Sequence, residues 1–443
     1  MTRGTLIDAP SLAKEFGRAF GEPAWLVEMR AAAMDAYLKA PLPSRARHLW
    51  RSSDPGAFVP EDGAVAAGPR EPASSAEARR PPEDLARALE AGEISGAIVE
   101  DATGPTRICL PSEIQGRGVL ALGLREAARA ARGLVEGRLG TLVGAAPAPD
   151  GAGKFEALNA ALWTSGAFVL VPRGVRLEAP IYIRRSLPEG AAFAAVRTLL
   201  VLEEGAEATL VEEHEGGASS LANAVSELFA LEGARLRHVF VQRLGEGARL
   251  HAAGRASAGR DAQIVALAAS LGALAAKCDL GSRLEGPGAR AELYGFLFGD
   301  GRQSFDHHTV HHHRARHTSS DLDFKVVLCD RARSAYTGLI RIEPEAPASE
   351  AYQENRNLVL GDEAKATSIP ELEILTDDVR CTHGATVGSL DPNEVFYLRS
   401  RGLDRAEATR LIVEGFIEPA ASRLPEAVRR RVLGDVERKM RRL

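Results

Sequence analysis

The spacing of apolar residues along the chain changes twice. After Pro23, residues 24–39 carry apolar side chains at helical intervals, with Leu26, Met34 and Leu38 on one face. From Ala167 onward, short apolar runs alternate with turns that contain glycine, which is typical of β-strands. Helical spacing returns after Asp391. The pattern therefore predicts three regions: a mostly helical region over residues 1–166, a β core over 167–390, and a helical region over 391–443.

Local signals refine the two helical regions. Residues 53–80 are rich in Gly, Pro, Ala and Ser, which predicts a flexible loop. In the C-terminal region, Asp404 is followed three residues later by Glu407, which predicts a capping box at the start of a helix. Short helices are expected elsewhere in the N-terminal region, at residues 83–91, 123–136 and 154–165.

The β core contains a repeat. Similar turns, such as EEGAEATL, LEGARLRH and GEGARLHA, each bring one alanine at the same place in the turn. Successive alanines are separated by about 14 residues or by multiples of about 14. A quasi-regular period of this kind predicts a β-solenoid whose coils stack on their neighbours, and it disfavours a β-sandwich. The period does not give the handedness of the coils. The alanines are Ala206, Ala234, Ala248, Ala262, Ala289 and Ala332.

Composition narrows the class of protein. The formal net charge of −5 demands neither a nucleic-acid partner nor an anionic membrane. No run of about 18 apolar residues predicts a membrane span, and the first residues do not resemble a signal peptide. The four cysteines never form a C-x-x-C pair. We therefore expect a cytoplasmic protein that does not hold a four-cysteine iron–sulfur cluster by itself. These cysteines are Cys109, Cys278, Cys329 and Cys381.

One glycine-rich segment resembles part of a phosphate-binding loop. It reads GAGKF over residues 151–155. The first glycine of a P-loop would fall at Ala148, and Phe155 stands where a Ser or Thr would contact Mg²⁺. We therefore expect that this chain does not hydrolyse nucleotide.

Histidines are concentrated between residues 307 and 317, in the sequence HHTVHHHRARH. In a strand, His307, His311 and His313 would share one face with Thr309 between them. Imidazoles placed in this way can bind a transition metal, and His317 would extend the set. The alternative is that several of these rings point outward into solvent. The pattern alone leaves both interpretations open.

A thiol and an imidazole stand two residues apart at the end of the β core. Cys381 and His383 would share one face of a strand, close to the point where strands give way to helices. A neutral imidazole is a suitable iron ligand, and the thiol could assist it. The alternative is that His383 is a buried, hydrogen-bonded histidine.

The same part of the chain resembles a known family. The segments QENRNLVL, PELEI, DDVRCTHGAT and FYLRSRG, followed by Gly415 and Phe416, are similar to the SufD branch of the SufB/SufD family of the SUF iron–sulfur cluster assembly system. Where SufB-type chains carry a cysteine before PELEI, this chain has Asn355, and where they carry His-Glu it has His383 and Gly384. Both differences favour the SufD branch.

The resemblance implies a fold and a set of partners. The fold would be mainly β, a right-handed parallel β-helix between N-terminal and C-terminal helical domains. The chain would be a non-catalytic scaffold that pairs with a SufB-like subunit through the β-helix edge near residues 353–388. It would bind a SufC-like ATPase through its C-terminal helices, and it could form a homodimer when isolated. The partner-binding candidates are Asn393, Phe396, Tyr397, Arg401, Gly402 and Phe416.

The resemblance also ranks the candidate sites. His383 occupies the position implicated in building a nascent cluster at the subunit interface, with Cys381 in support, and any iron or cluster would be transient. The histidine run matches the family pattern at Asp306, His307, His308, Thr309, His313, His317, Ser320 and Lys325, whereas His311 and His312 fall outside it. Two alternatives stay open. The chain could be a SufB-like scaffold paralogue, or a cytoplasmic β-helix enzyme with a metal bound by the histidine run.

Overall fold

The computed structural model describes residues 10–46, 48–60, 80–101, 106–144, 153–187, 189–190 and 192–441. Within these ranges the strands, numbered in chain order, form two sheets. The first sheet contains nine strands: β3 (Leu120–Gly123), β4 (Ser165–Val171), β6 (Phe193–Leu202), β8 (Leu221–Ala230), β10 (Arg249–Ala258), β12 (Ala275–Leu284), β14 (Ser304–His313), β16 (Arg333–Ile342) and β18 (Lys365–Ile374). The second contains ten: β1 (Gly96–Asp101), β2 (Arg107–Cys109), β5 (Ile181–Leu187), β7 (Glu207–Gly216), β9 (Arg235–Leu244), β11 (Gln263–Ser270), β13 (Arg290–Gly299), β15 (Ser319–Leu328), β17 (Ser349–Val359) and β19 (Val379–Gly388).

The two sheets are the two walls of a parallel β-solenoid. From β4 onward, consecutive strands alternate between the sheets, so one strand from each sheet makes one coil. The strands of β4–β5 to β18–β19 make eight coils. Neighbouring coils pair in parallel and in register; Arg249 pairs with Ala275, and Ser304 with Arg333. The solenoid predicted from the repeat is therefore confirmed, and the β-sandwich is excluded.

The turns account for the repeat. At one corner of the solenoid the chain turns through a residue with a left-handed backbone, such as Gly205 or Gly233, both at φ +65°. Each donates its backbone N–H to a carbonyl of the next coil: Gly205 to Glu232, and Gly233 to Arg260. The alanine that follows is fully buried because the corner leaves no room for a larger side chain. All six alanines of the repeat are 0% exposed, and they belong to the corners on both sides of the coil.

Helices cover the outer face of each sheet. The N-terminal helices α1 (Pro10–Ala19), α2 (Ala24–Lys39), α5 (Leu124–Ala130), α6 (Arg132–Val135) and α7 (Lys154–Leu162) pack on the nine-stranded sheet in one apolar cluster. The helices α3 (Glu83–Glu90), α9 (Arg405–Ala421) and α10 (Glu426–Met440) pack on the ten-stranded sheet in another. The helices α4 (Ser112–Gly116) and α8 (Pro392–Ser400) complete the described α-helices, and two short 3₁₀ helices span His48–Trp50 and Pro55–Phe58. The helical regions thus lie along the sheet faces of the solenoid as well as at its ends.

Most of the expected helices are present. The helices expected at 24–39 and 83–91 are confirmed. The helix expected at 123–136 is broken at Ala131 into α5 and α6, and α7 ends at Leu162 because β4 begins at Ser165. The capping box of α9 is confirmed, with Asp404 accepting from the Glu407 N–H. The N-terminal region also contains three strands, β1 to β3, that the pattern did not predict.

The start of the expected loop packs instead on the nine-stranded sheet. Ser53 donates a 2.7 Å hydrogen bond to Asp306, and Phe58 is buried against Phe155. Because apolar and hydrogen-bonding side chains occur before residue 60, composition misplaced the start of the loop. Residues 61–79, the rest of that loop, lie outside the described residues.

The rejection of a phosphate-binding loop is supported by Lys154. Its ammonium group is buried and donates to the backbone carbonyls of Tyr37 and Ala40 at the end of α2. A lysine whose ammonium group is hydrogen-bonded to the carbonyls at a helix C-terminus is not available to bind a phosphate. Residues 151 and 152 of the glycine-rich segment lie outside the described residues.

Candidate functional site

The last coil of the solenoid has an uncovered edge. Within the described chain, β18 pairs only with β16, and β19 only with β17. Side chains that would be buried by a further coil are exposed instead, including Leu372 and Ile374 on β18 and Val387 on β19, which is 55% exposed. Strands with open N–H and C=O groups beside an apolar rim form a surface that another strand can pair with. We call β18 and β19 together the open end.

Cys381 and His383 lie on β19, at the open end. In the parallel register, Cys381 is next to Ala351 and His383 is next to Gln353. Ala351 belongs to the apolar cluster between the sheets, and Cys381 packs against that cluster. Because residues two apart share a face of a strand, His383 faces the same interior. The expectation that both side chains share one face is therefore confirmed.

The two side chains differ in environment. Cys381 is half-buried, and burial raises the pKa of its thiol. A thiol with a raised pKa stays protonated at neutral pH and is a poor metal ligand until a metal or a cation lowers the pKa. The His383 side chain is exposed, because no further coil covers it. His383 is thus an accessible candidate metal ligand at the open end, with Cys381 beside it.

Asn355 lies one coil behind the open end, in the interior. Its side chain is 1% exposed and donates to the carbonyl of Phe324, while its own oxygen accepts from Asn357. The position where SufB-type chains carry a cysteine therefore holds an amide that is already engaged. The described interior provides no thiol at this position.

The histidine run forms β14 and the turn that follows it. His307, His311 and His313 face the interior and are buried, with Thr309 between them, so the predicted common face is confirmed. Burial lowers the pKa of His307 and His313 to about 3 and that of His311 to about 4. These three rings are neutral at physiological pH.

Each buried ring has its own structural partner. His307 is hydrogen-bonded to Ser270, and His313 to both Thr318 and Ser320. His311 contacts the carbonyl of Asp321 at 3.4 Å. Among the described residues, no three His, Cys, Asp or Glu side chains lie where they could hold one metal ion. The arrangement favours a role inside the solenoid over a metal site.

The other histidines of the run lie outside the solenoid. His308 is hydrogen-bonded to Asp279 and His312 to Glu343, both on the outer face of the sheet. His317 is exposed in the turn after β14, with φ +58°. The structure therefore separates His317 from His307, His311 and His313.

The candidate partner-binding residues of the C-terminal region lie on α8 and α9. Asp391 caps α8 by accepting from the Asn393 N–H, and Phe396 and Tyr397 are 72% and 56% exposed. The Arg401 guanidinium lies 5.1 Å from the centre of the Tyr397 ring. A largely apolar groove between the two helices is lined by Asn393, Glu394, Tyr397, Leu398, Leu411, Ile412 and Gly415.

Two of the candidates serve the fold of the C-terminal helices. Gly402 follows α8 with φ +96°, a backbone conformation that favours glycine. Phe416 is half-buried against the outer face of the ten-stranded sheet, where the Lys325 ammonium lies 5.6 Å from its ring. The turn after α8 therefore accounts for Gly402, and the packing of α9 accounts for Phe416. The exposed surface consists of Asn393, Phe396, Tyr397 and Arg401.

The apolar rim of the open end is not apparent from the sequence. Leu372 and Ile374 alternate with Glu371 and Glu373 in PELEI, which is the pattern of an ordinary half-buried strand. The signal that could have revealed the rim is the position of this strand in the last coil before the helices, where the interior face has no neighbour.

The chain has known relatives. Over the full length of both chains it is 28% identical to the iron–sulfur cluster assembly protein SufD of Bacillus subtilis. It is 30% identical to an iron–sulfur cluster assembly SufBD family protein of Synechocystis, over 63% of this chain and 64% of the relative. A SufBD family protein of Staphylococcus saprophyticus is 29% identical, over 71% of this chain and 68% of the relative.

A family model agrees with these relatives. Residues 185–416, more than half of the chain, match the model described as SUF system FeS cluster assembly, SufBD core domain. The matched region runs from β5 to α9 and contains the open end. The motifs that carried the resemblance lie within it. The chain belongs to the SufB/SufD family of iron–sulfur cluster assembly proteins, and its likeness to the Bacillus protein, together with Asn355 and Gly384, places it with SufD.

Proposed function

We propose that this chain is a non-catalytic scaffold subunit of a cytoplasmic iron–sulfur cluster assembly complex. It pairs with a SufB-like subunit through the open end, and a nascent cluster is built at that junction. The observation that carries the proposal is the exposed His383 on the interior face of an edge strand. Iron and the cluster are cargo of the complex, and this chain supplies part of their surroundings.

The open end suits a second chain that ends in the same way. An equivalent edge would continue the backbone ladders of β18 and β19 and would cover Leu372, Ile374 and Val387. The same edge would let the isolated chain form a homodimer. In either assembly the side chain of His383 would pass from solvent into the junction.

The donors available at the open end are few. The His383 imidazole can bind iron through an unprotonated nitrogen, whereas the raised pKa of Cys381 assigns its thiol a supporting role. Clusters are held mainly by thiolates. The other ligands must therefore come from the partner chain, which makes a site at the junction more consistent with these residues than one inside this subunit.

The ATPase would bind elsewhere, at the exposed surface of α8 and α9. Phe396 and Tyr397 are large apolar side chains that the described residues leave uncovered. Aromatic anchors of this kind commonly dominate protein interfaces. Removal of residues 391–443 is a poor test of this docking site, because Val413 and Ile417 of α9 are buried against the ten-stranded sheet. Substitution of Phe396 and Tyr397 by alanine tests it without exposing the sheet.

The deciding experiment is reconstitution of the complex with SufB-like and SufC-like partners, read by the visible absorbance of the cluster. His383→Ala is expected to leave the complex assembled and to lower the cluster yield by about tenfold, because a ligand is lost while packing is not. Cys381→Ser is expected to have a smaller effect.

The matched control is His317→Asn. His317 is an exposed histidine in the turn between β14 and β15, two coils before the open end and not on its strands, and asparagine tolerates its left-handed backbone. A double change of His311 and His312 is unsuitable as a control, since His311 is fully buried. Full cluster yield from His383→Ala would assign that histidine a structural role and overturn the proposed site.

A further inference from the structure

Gln353 lies directly behind His383 in the interior of the solenoid. The two residues are neighbours in the parallel register of β17 and β19, and on its other side Gln353 is next to Leu322 of the interior apolar cluster. Adjacent strands are separated by about 4.8 Å, which is within reach of a glutamine amide. Gln353 is 1% exposed, so its amide is inside the protein although its neighbour is in solvent.

The amide of Gln353 has an unused acceptor. Its oxygen, Oε1, is buried and has no hydrogen-bond partner among the described residues. An unsatisfied buried carbonyl oxygen costs about 1–3 kcal/mol. Such a group in an otherwise well-packed interior points to a donor that lies close by and can turn toward it.

The opposite wall of the solenoid makes room for this amide. A Cβ atom on Gly338 of β16 would lie 2.5 Å from Nε2 and 2.7 Å from Oε1 of Gln353. The backbone of Gly338 has no left-handed φ, so the close approach of Gln353 accounts for the absence of a side chain there. Gly338 is followed in the next coil by Pro370, which has no polar side chain to offer His383.

Other polar groups near His383 are less suitable acceptors. Asn355, the next interior residue of β17, already uses its oxygen to accept from Asn357. Ser368 on β18 faces the interior and has an unpaired hydroxyl, so it is a competing acceptor. Gln353 differs from Ser368 in being adjacent to His383 in the same sheet.

We propose that Gln353 is the positioning residue of His383. In the structure the Gln353 amide oxygen is unpaired among the described residues and the His383 ring is exposed. Rotation of the ring toward the interior lets the oxygen accept a hydrogen bond from one ring N–H, which orients the imidazole and keeps the proton on that nitrogen. The other ring nitrogen then carries its lone pair toward the open end, where iron arrives. This inference rests on the proposed function for its biological meaning, although the hydrogen bond itself can be tested without a cluster.

The test uses the full chain with ¹⁵N-labelled histidine and records the ring tautomer of His383, identified by its loss in His383→Gln. In the wild-type chain one tautomer is expected to dominate. Gln353→Leu should abolish that preference, because leucine accepts no hydrogen bond. Leucine continues the apolar column of Leu322, so the fold is expected to persist. Gln353→Glu keeps an acceptor at the same reach and should restore the preference.

Two further variants complete the set. Gly338→Ala leaves Gln353 in place but pushes its amide aside, and it should weaken the tautomer preference without removing the acceptor. Ser368→Ala is the matched control and should leave the tautomer unchanged. In reconstitution, Gln353→Leu is expected to lower the cluster yield by about tenfold, and Gln353→Glu to recover most of it.

The outcomes separate this inference from the proposed function. The same mixture of tautomers in wild type and in Gln353→Leu would overturn the positioning role, whatever the cluster yield. A change in Ser368→Ala instead would assign the acceptor to Ser368 and overturn it as well. If Gln353→Leu changes the tautomer but His383→Ala gives full cluster yield, the hydrogen bond stands and the proposed cluster site fails.

Discussion

The two ends of the solenoid differ in whether the chain itself covers the terminal coil. At the N-terminal end, the short strands β2 and β3 pair antiparallel to their neighbours, and Ile108, Leu110 and Ile114 pack against the interior cluster. At the C-terminal end the described chain provides no such cover, and the interior-facing residues of β18 and β19 are half-buried or exposed. An end that is capped by its own chain needs no partner, whereas the open end has both unpaired strands and apolar surface to bury.

The interior near the capped end contains a charged cluster that is paired within itself. The guanidinium of Arg185 donates to Glu100 and to Glu212, at 2.6 Å in each case, and Glu212 also accepts from Thr198 and Ser226. These groups are fully or almost fully buried. Buried charges persist only when paired and hydrogen-bonded, as these are.

The interior near the open end contains neutral polar groups instead. Gln353, Asn357 and Ser368 each have a buried side-chain oxygen without a hydrogen-bond partner among the described residues. The interior polar groups of one solenoid therefore differ in charge and in hydrogen bonding between its two ends. Near the cap the charged groups pair with one another, although the buried His214 ring beside them has no hydrogen-bond partner among the described residues. Near the open end three neutral side chains each have an unused acceptor.

The largest effect of a single substitution is expected from breaking the charged cluster. Arg185→Leu leaves Glu100 and Glu212 buried without their cation, which typically costs about 3–5 kcal/mol of the free energy of unfolding. Urea unfolding measures this loss. The matched control is Arg173→Ala, because Arg173 pairs with Glu204 at the surface and both side chains are largely exposed. That change should cost less than about 1 kcal/mol.

A loss as small as that of the control would contradict this contrast between the two ends. It would mean that the two glutamates become protonated or hydrated at little cost. The charged cluster near the cap would then contribute no more to the free energy of unfolding than the polar groups near the open end. A double change of Glu100 and Glu212 to glutamine, combined with Arg185→Leu, should recover part of the stability, since no charge is then left buried.

The sequence alone revealed more of the fold than of the site. Alanines 14 or 28 residues apart predicted the coils because most coils place a small, buried residue at the corner. Arg185 carried no such signal, because its partners come from other coils: Glu100 lies 85 residues before it and Glu212 27 residues after it. The shared face of Cys381 and His383 followed from strand periodicity. The exposure of His383 did not, since it depends on the absence of a further coil.

A second effect is expected from acid. Burial holds the pKa of His214, His251, His307 and His313 near 3 and that of His311 near 4, below the ordinary value of 6.5. Below pH 6.5 these histidines become protonated in the unfolded chain but stay neutral in the folded protein. The free energy of unfolding therefore falls as pH falls toward 4. Each histidine contributes about 1.4 kcal/mol per pH unit over that range. Urea unfolding at pH 7.0, 6.0 and 5.0 measures the slope.

His214 provides the control for the acid effect. Both of its ring nitrogens are buried without hydrogen-bond partners among the described residues, so the ring behaves as an apolar side chain beside Phe240. His214→Leu should therefore keep or raise stability at pH 7 and should reduce the pH slope by about 1.4 kcal/mol per unit. An unchanged slope would show that His214 is protonated in the folded state or reached by solvent.

The smallest effect is expected at the corner turns, and it compares the two ends once more. Gly205 and Gly233 occupy the left-handed turn position toward the capped end, whereas His317 and Ala348 occupy it in the two coils nearest the open end, at φ +58° and +56°. A left-handed backbone costs a residue with a Cβ about 1–2 kcal/mol, which glycine avoids, although glycine loses part of that gain through the entropy of the unfolded chain. His317→Gly and Ala348→Gly should each stabilise the protein by about 0.5–1 kcal/mol, and Gly233→Ala should destabilise it by a similar amount. The melting temperatures of the three variants, measured by thermal unfolding, test these stability changes. If His317→Gly lowers the melting temperature while Ala348→Gly raises it, the His317 side chain makes a stabilising contact that outweighs the strain of its backbone.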